Sequence, residues 1–206
     1  MADPIELTTL EQDMLKELFN LGVGKAAASL SRMVKQEVLL AVPNVSFKTA
    51  TDLLIMLGKD EEIVSISQDV KGPFSARSML LFHEESSMNV VKQMLGKQMP
   101  DEMLAELQEE ALTEIGNVVL NACIGAISKT IGAGFSVDIP SFQQADPIHI
   151  VAGNNLEANT SILLLEISLT LKESDVSGYL AFIFGADELV NLHESIEGML
   201  KKLGAA

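Results

Sequence analysis

One helical pattern is written twice in this chain, the second copy 97 positions after the first: Glu17, Asn20 and Pro43 return as Glu114, Asn117 and Pro140. In each copy 22 residues lie between the Asn and the Pro. A period near half the chain is the mark of an internal duplication. A lone Glu-x-x-Asn arises by chance in roughly one chain of two at this length, so a single copy reads as an ordinary solvent-facing polar pair. Two copies in register, each followed at equal spacing by proline, single out these residues as the place to look for chemistry.

The periodicity around them sets the element order. From Thr9 to about Val34, apolar residues recur at helical spacing (Leu10, Met14, Leu18, Leu21, then Ala27, Leu30, Met33), with Thr8 or Thr9 available as N-cap. Gly22 and Gly24 inside this helix each cost about 1 kcal/mol relative to Ala, which predicts a kink or a close approach by another backbone. Val38–Phe47 is strand-like around Pro43, a residue tolerated only at a sheet edge or bulge. Thr51–Leu57 follows as a short helix, Ile63–Val70 and Ser75–Phe82 as strands, and Glu85–Leu95 as a helix ended by Gly96. After Pro100 the order repeats. Asp101 is the expected cap of a helix from Glu102 to Thr130, Phe135–Phe142 is a strand through Pro140, and Pro147–Ala152 takes the place of the short helix. Asn159–Leu171 and Val176–Phe184 are strands about a turn at Ser174–Asp175, and Ala186–Leu203 closes the chain. The expected fold is α+β: two pseudo-two-fold α-β-α-β-β-α halves, residues 8–97 and 101–203, meeting at Gly96–Pro100. A three-stranded half is small, so the halves should share one antiparallel sheet and one core in a single domain spanning 1–206, with the long helices packed on the sheet.

Composition narrows the function. Fourteen Lys and Arg against 29 Asp and Glu leave a net charge of −15, which repels phosphate backbones and anionic lipid and argues against a nucleic-acid binder. The one cysteine, Cys123, precludes an intrachain disulfide, fits a reducing compartment and reads as a small buried hydrophobe. Asp3 and Glu6 stand where a secretory signal would be basic and then apolar. The apolar runs Val118–Ile127 and Ile162–Leu171 are too short or too interrupted for membrane insertion, so the expected location is cytoplasmic. His83, His149 and His193 lack ligand spacing to one another or to Cys123, which argues against zinc. Gly22-Val23-Gly24-Lys25 lies within a helix with no strand before it, unlike a nucleotide-binding loop. Met88, Met94, Met99 and Met103 near the seam read as core filling.

Residues three apart share a helix face, so Glu17 points with Asn20 and Glu114 with Asn117. Asp13 and Glu110, one turn earlier, extend the two stripes. A carboxamide cannot act as a base near neutral pH, but it donates and accepts hydrogen bonds at once and can hold a water molecule. Phosphoryl hydrolysis rests largely on positioning, and GTPases orient their attacking water with a side-chain amide. A carboxylate one turn away can dock on a cation of the molecule that carries the phosphate. These residues also resemble a known signature. Asp13-x-x-x-Glu17-x-x-Asn20 with Pro43, and Glu110-x-x-x-Glu114-x-x-Asn117 with Pro140, are similar to the pattern of the CheC, CheX and FliY family of chemotaxis phosphatases. Leu18-Phe19-Asn20-Leu21-Gly22-Val23-Gly24-Lys25-Ala26-Ala27 is in keeping with it, as is Glu114-Ile115-Gly116-Asn117. The resemblance covers nearly the whole chain and is closest to the CheC type.

The resemblance implies a protein phosphatase acting on the aspartyl-phosphate of the response regulator CheY. Asn20 and Asn117 would place the water, Glu17 and Glu114 would dock on a lysine of CheY, and Asp13 and Glu110 would support them. The chain itself would bind no cofactor, the required magnesium being held by phosphorylated CheY. It further implies the deamidase CheD as a second partner, docked at 146–155, a segment that otherwise reads as a plain connector. The departures are specific. Glu110 stands where the family usually has Asp or Ser, which implies weaker regulator binding at the second site. Phe19 faces Gly116 in the other copy, and Gly22 and Gly24 become Val119 and Asn121. The alternative is a non-catalytic module of the chemotaxis and flagellar switch system that binds a response regulator or CheD. A third reading, a metal-dependent hydrolase built on the clustered carboxylates, lacks histidine ligands.

Overall fold

In the computed structural model, residues 8–58, 61–96, 99–154, 156–157, 160–171 and 174–202 are described. Helix α1 (Thr9–Val34) starts at a capping box, in which the Thr8 hydroxyl accepts from the Glu11 amide at 3.3 Å while the Glu11 carboxylate accepts from the Thr8 amide at 2.8 Å. It ends on Lys35, which adopts the left-handed conformation at φ 54°. Strand β1 (Val38–Thr49) runs through Pro43 and leads into α2 (Ala50–Leu57), whose capping box pairs Thr49 with Asp52. The hydrogen bonds from Thr49 hold the Asp52 carboxyl below the usual carboxylate range. The hairpin β2 (Ile63–Lys71) and β3 (Ala76–His83) precedes α3 (Glu84–Leu95).

The second half repeats this order with one difference. Helix α4 (Asp101–Ile131) begins one residue before the expected start, with Pro100 in the N-cap position. The strand expected over Phe135–Phe142 is broken into β4 (Ser136–Val137) and β5 (Ser141–Ala145), because the chain leaves the ladder around Ile139 and Pro140. Helix α5 (Pro147–Gly153), strands β6 (Ser161–Leu171) and β7 (Ser174–Phe184) and helix α6 (Ala186–Lys202) complete the described chain. Ser174 and Asp175, expected in a turn, already belong to β7, while Asn159, Lys97 and Leu203 lie outside the described residues.

The strands form one antiparallel sheet in the order β1-β6-β7-β3-β2, with β4 and β5 both pairing the far side of β2. The order is palindromic. The first strand of each half pairs with the second strand of the other half, and the third strands, β3 and β7, pair at the centre with Leu80 opposite Leu180. The halves are therefore interlaced, and neither closes its own sheet.

Alternation along the strands divides the apolar residues between two faces. Leu163, Leu165, Leu180, Phe182, Leu80 and Phe82 lie in a large core beneath α1, α3, α4 and α6. Ile162, Leu164, Ala181, Ile183, Met79 and Leu81 lie in a smaller core with α2 and α5. The single core expected from the small size of each half is thus two, because a sheet that is apolar on both faces must be covered on both.

Helix α1 runs unbroken through both glycines. A Cβ on Gly22 would come within 2.9 Å of the Cys123 Cα, so Gly22 is the point where α1 and α4 approach backbone to backbone. Gly24 faces open space. The apolar run at Val118–Ile127 belongs to α4, which by length and composition is long enough to cross a membrane, yet here it turns Leu112, Ile115, Val119, Leu120, Cys123 and Ile127 into the larger core. Met88, Met94 and Met99 pack against that core, whereas Met103 is half exposed.

The Phe19/Gly116 difference between the copies follows from packing. Phe19 is buried against Phe182, with ring centroids 5.3 Å apart. Gly116 presses on β2, where a Cβ would meet Ile66 Cγ2 at 2.5 Å and Cβ at 2.8 Å. Gly116→Ala should therefore lower unfolding free energy by about 1–2 kcal/mol, although alanine gains about 1 kcal/mol in helix propensity. In urea unfolding the loss should shrink when Ile66→Ala is made in the same chain; purely additive losses would contradict the contact. Burial pushes the Cys123 thiol up to about 12, so native protein at pH 8 should resist thiol-alkylating reagents and react once unfolded.

Candidate functional site

The two Glu-x-x-Asn segments take the same exposure in their helices. Glu17 and Glu114 are exposed, the two residues after each (Leu18 and Phe19, Ile115 and Gly116) are buried, and Asn20 and Asn117 are half buried at the edge of the apolar face. Asp13 and Glu110 are exposed one turn earlier. The helical spacing thus brings each sequence-derived set onto one surface stripe per helix. None of the four carboxylates on these stripes has a hydrogen-bond or ion-pair partner among the described residues, which leaves them available to a cation from outside.

The carboxamides differ. Asn20 Oδ1 accepts from the Val42 backbone N–H at 2.9 Å, while its Nδ2 donates to the Val42 carbonyl at 3.3 Å and to the Lys16 carbonyl at 2.9 Å. Val42 precedes Pro43 at the point where the β1–β6 register shifts between Ala41 and Asn44. At this bulge the backbone groups of Val42 turn to α1, and the Asn20 side chain serves them as a strand of one residue would. Val42 is buried at 1% exposure.

In the second copy the position of Val42 is filled by Ile139, which is 92% exposed. The chain there is held by a different bond, from the Asp138 amide to the Asp69 carbonyl at 2.9 Å. Asn117 makes no bond to it; its Oδ1 accepts from Asn121 Nδ2 at 2.6 Å. Asn121 replaces Gly24, which has no side chain to offer Asn20. The sequence pattern marks Asn121 only as a departure. Its signal was the four-residue spacing from Asn117, which puts two carboxamides next to each other on a helix.

The surroundings of the stripes are also unequal. Lys16 lies exposed between Asp13 and Glu17 on α1. On α4 the exposed residues Glu102, Glu106, Glu109, Glu110 and Glu114 follow one another without a basic residue until Lys129. The histidines stand beside carboxylates instead of one another: His83 by Glu61, His149 by Asp146, and His193 between Glu11 and Glu197. Among the described residues no three His, Cys, Asp or Glu side chains cluster as a metal site would require.

No family model matches the chain. Among solved structures, Thermotoga maritima FliY superimposes with a TM-score of 0.74 at 18% identity, covering 95% of this chain and 100% of that one. The chain has the CheC/CheX/FliY-like fold. A CheX–CheY–BeF3–Mg2+ complex from Borrelia burgdorferi matches with a TM-score of 0.53 at 18% identity over 82% of this chain and 97% of that one. The FliG–FliM complex of H. pylori matches with a TM-score of 0.64 at 11% identity over 86% and 94%. The same architecture therefore underlies chemotaxis and flagellar switch proteins of differing roles.

The Asn20 contacts give a stability prediction. Asn20→Ala leaves the buried Val42 N–H without a partner and should cost about 1–3 kcal/mol, whereas Asn117→Ala should cost below about 0.5 kcal/mol. Urea unfolding of the two variants, with amide exchange followed at Val42, checks the difference.

Proposed function

We propose that this protein is a phosphatase for the aspartyl-phosphate of a CheY-type response regulator, working through a helix-borne carboxamide with a carboxylate one turn before it. The observation that carries this reading is the repeated Glu-x-x-Asn register with its shared exposure: an unpartnered carboxylate in solvent and an amide at the lip of the core. The fold alone does not carry it, since the non-catalytic FliM middle domain has the same fold.

In this reaction the regulator docks with a cation against Glu114 or Glu17. A water molecule donates a hydrogen bond to the Asn carbonyl oxygen, which turns its lone pair toward phosphorus. As the water oxygen bonds to phosphorus, the bond to the aspartyl oxygen breaks; the carboxylate leaves with the electron pair, and the water proton ends on inorganic phosphate. Magnesium belongs to the regulator in this scheme and neutralises the phosphoryl oxygens there. Placing the water contributes on the order of 10²-fold, about 3 kcal/mol. CheD is a further partner proposed for α5, whose Ile148 is 66% exposed. The single cysteine fits a reducing compartment, and a cytoplasmic location belongs to the same proposal.

A second reading, a regulator-binding module without turnover, is favoured by the commitment of Asn20 to the β1 backbone. One assay separates the two. Protein in trace amount is mixed with phosphorylated CheY and magnesium, and phosphate release is followed. Many turnovers per molecule are expected, with a loss of about 10²-fold in the Asn20→Ala/Asn117→Ala double variant while regulator binding persists. A merely stoichiometric effect, or unchanged turnover in the double variant, would establish the module instead.

A further inference from the structure

The geometry points to an unequal pair of sites, in which Asn121 is a positioning residue for Asn117, the α4 copy performs turnover, and Asn20 has become a latch for β1. This rests on the phosphatase reading above and assigns its chemistry to one copy.

An asparagine side chain offers two N–H donors and two carbonyl lone pairs. Asn20 commits both donors, to Lys16 and Val42, and one lone pair, to the Val42 N–H. Its amide plane is fixed against β1, and freeing it would strip partners from a buried backbone amide. Among the described residues Asn117 commits one lone pair only, to Asn121 at 2.6 Å. That bond sets the rotation of the Asn117 amide while leaving the second lone pair for a water hydrogen and both N–H groups for phosphoryl oxygens. An amide without such a brace would sample several rotations, and the reaction needs one.

Two independent features of the second copy agree with this. Contrary to the weaker docking that Glu110 implied by resemblance, the exposed carboxylates of α4, uninterrupted by a basic residue from Glu102 to Glu114, make a stronger attraction for a cationic docking surface than the Asp13–Lys16–Glu17 stripe. The strand break at Ile139 and Pro140 also lies opposite Gln68, whose Nε2 and Oε1 are both buried without a partner among the described residues while the residue is 2% exposed. In the first copy the facing position on β6 is the apolar Ile167. The second copy has thus kept polar groups unpaired around the break that the first copy has closed.

The test uses the full chain and phosphorylated CheY with magnesium. Asn121→Ala should lower kcat by about 10-fold with KM unchanged, because the side chain is exposed and orients the amide without carrying the docking contact. Asn121→Gln, which keeps a donor, should recover part of the loss. Asn117→Ala alone should lose as much turnover as the Asn20→Ala/Asn117→Ala double variant. In the nitrogen-15 spectrum, the side-chain NH2 pair of Asn117 should shift in Asn121→Ala while that of Asn20 does not. A wild type without turnover overturns the phosphatase reading and the positioning role with it. An active wild type with full kcat in Asn121→Ala, or with half its turnover left in Asn117→Ala, overturns only the unequal assignment.

Discussion

The exchange of first strands between the two halves is the constraint on which the rest of this structure depends. Strand β1 finds its partner in β6, and β4 and β5 find theirs in β2, so each half supplies an edge to a hairpin belonging to the other. A hairpin by itself is marginal in water; here each gains its outer neighbour only when the other half is folded. The same exchange fixes where the long helices run, since each leads directly into an exchanged strand. It places the Asn of α1 within reach of the bulge in β1, and it brings α1 and α4 together at Gly22 and Cys123, where only a residue without a side chain fits.

Once the halves are interlaced, symmetry no longer demands identical residues. Phe19 has space to pack on Phe182, while Gly116 lies so close to Ile66 that no side chain fits. The closed bulge of the first copy buries Val42 and engages Asn20; the open break of the second exposes Ile139 and leaves Asn117 to Asn121. One set of contacts serves stability and the other remains available to a visiting molecule. A duplicated fold provides both without a change of architecture, and FliY and FliM share that architecture with this chain at 18% and 11% identity.

Much of this was legible in the residues. Helical spacing and the capping residues gave α1 its start at Thr9, and strand-like runs separated by short turns gave the hairpins, because both signals are local. The stripes of Asp13, Glu17 and Asn20 and of Glu110, Glu114 and Asn117 were legible for the same reason. What was not legible depends on contacts distant in the chain. The break between β4 and β5 follows from how residues 138–140 meet β2, and the two cores follow from which helices cover which face of the sheet. The glycines of α1 were ambiguous between a kink and a close approach until α4 was seen against Gly22.

The sequence by itself determined the duplication, the order of elements, the acidic surface and the residues that stand on each polar stripe, since all are set by composition and by neighbours within a turn or a pleat. Only the tertiary structure decided which half each first strand joins and what each carboxamide touches. Hydrogen bonds such as Asn20 to Val42 depend on the path of a strand 22 residues away, which no local pattern reveals, whereas the four-residue spacing of Asn117 and Asn121 is a local signal for the contact on their own helix.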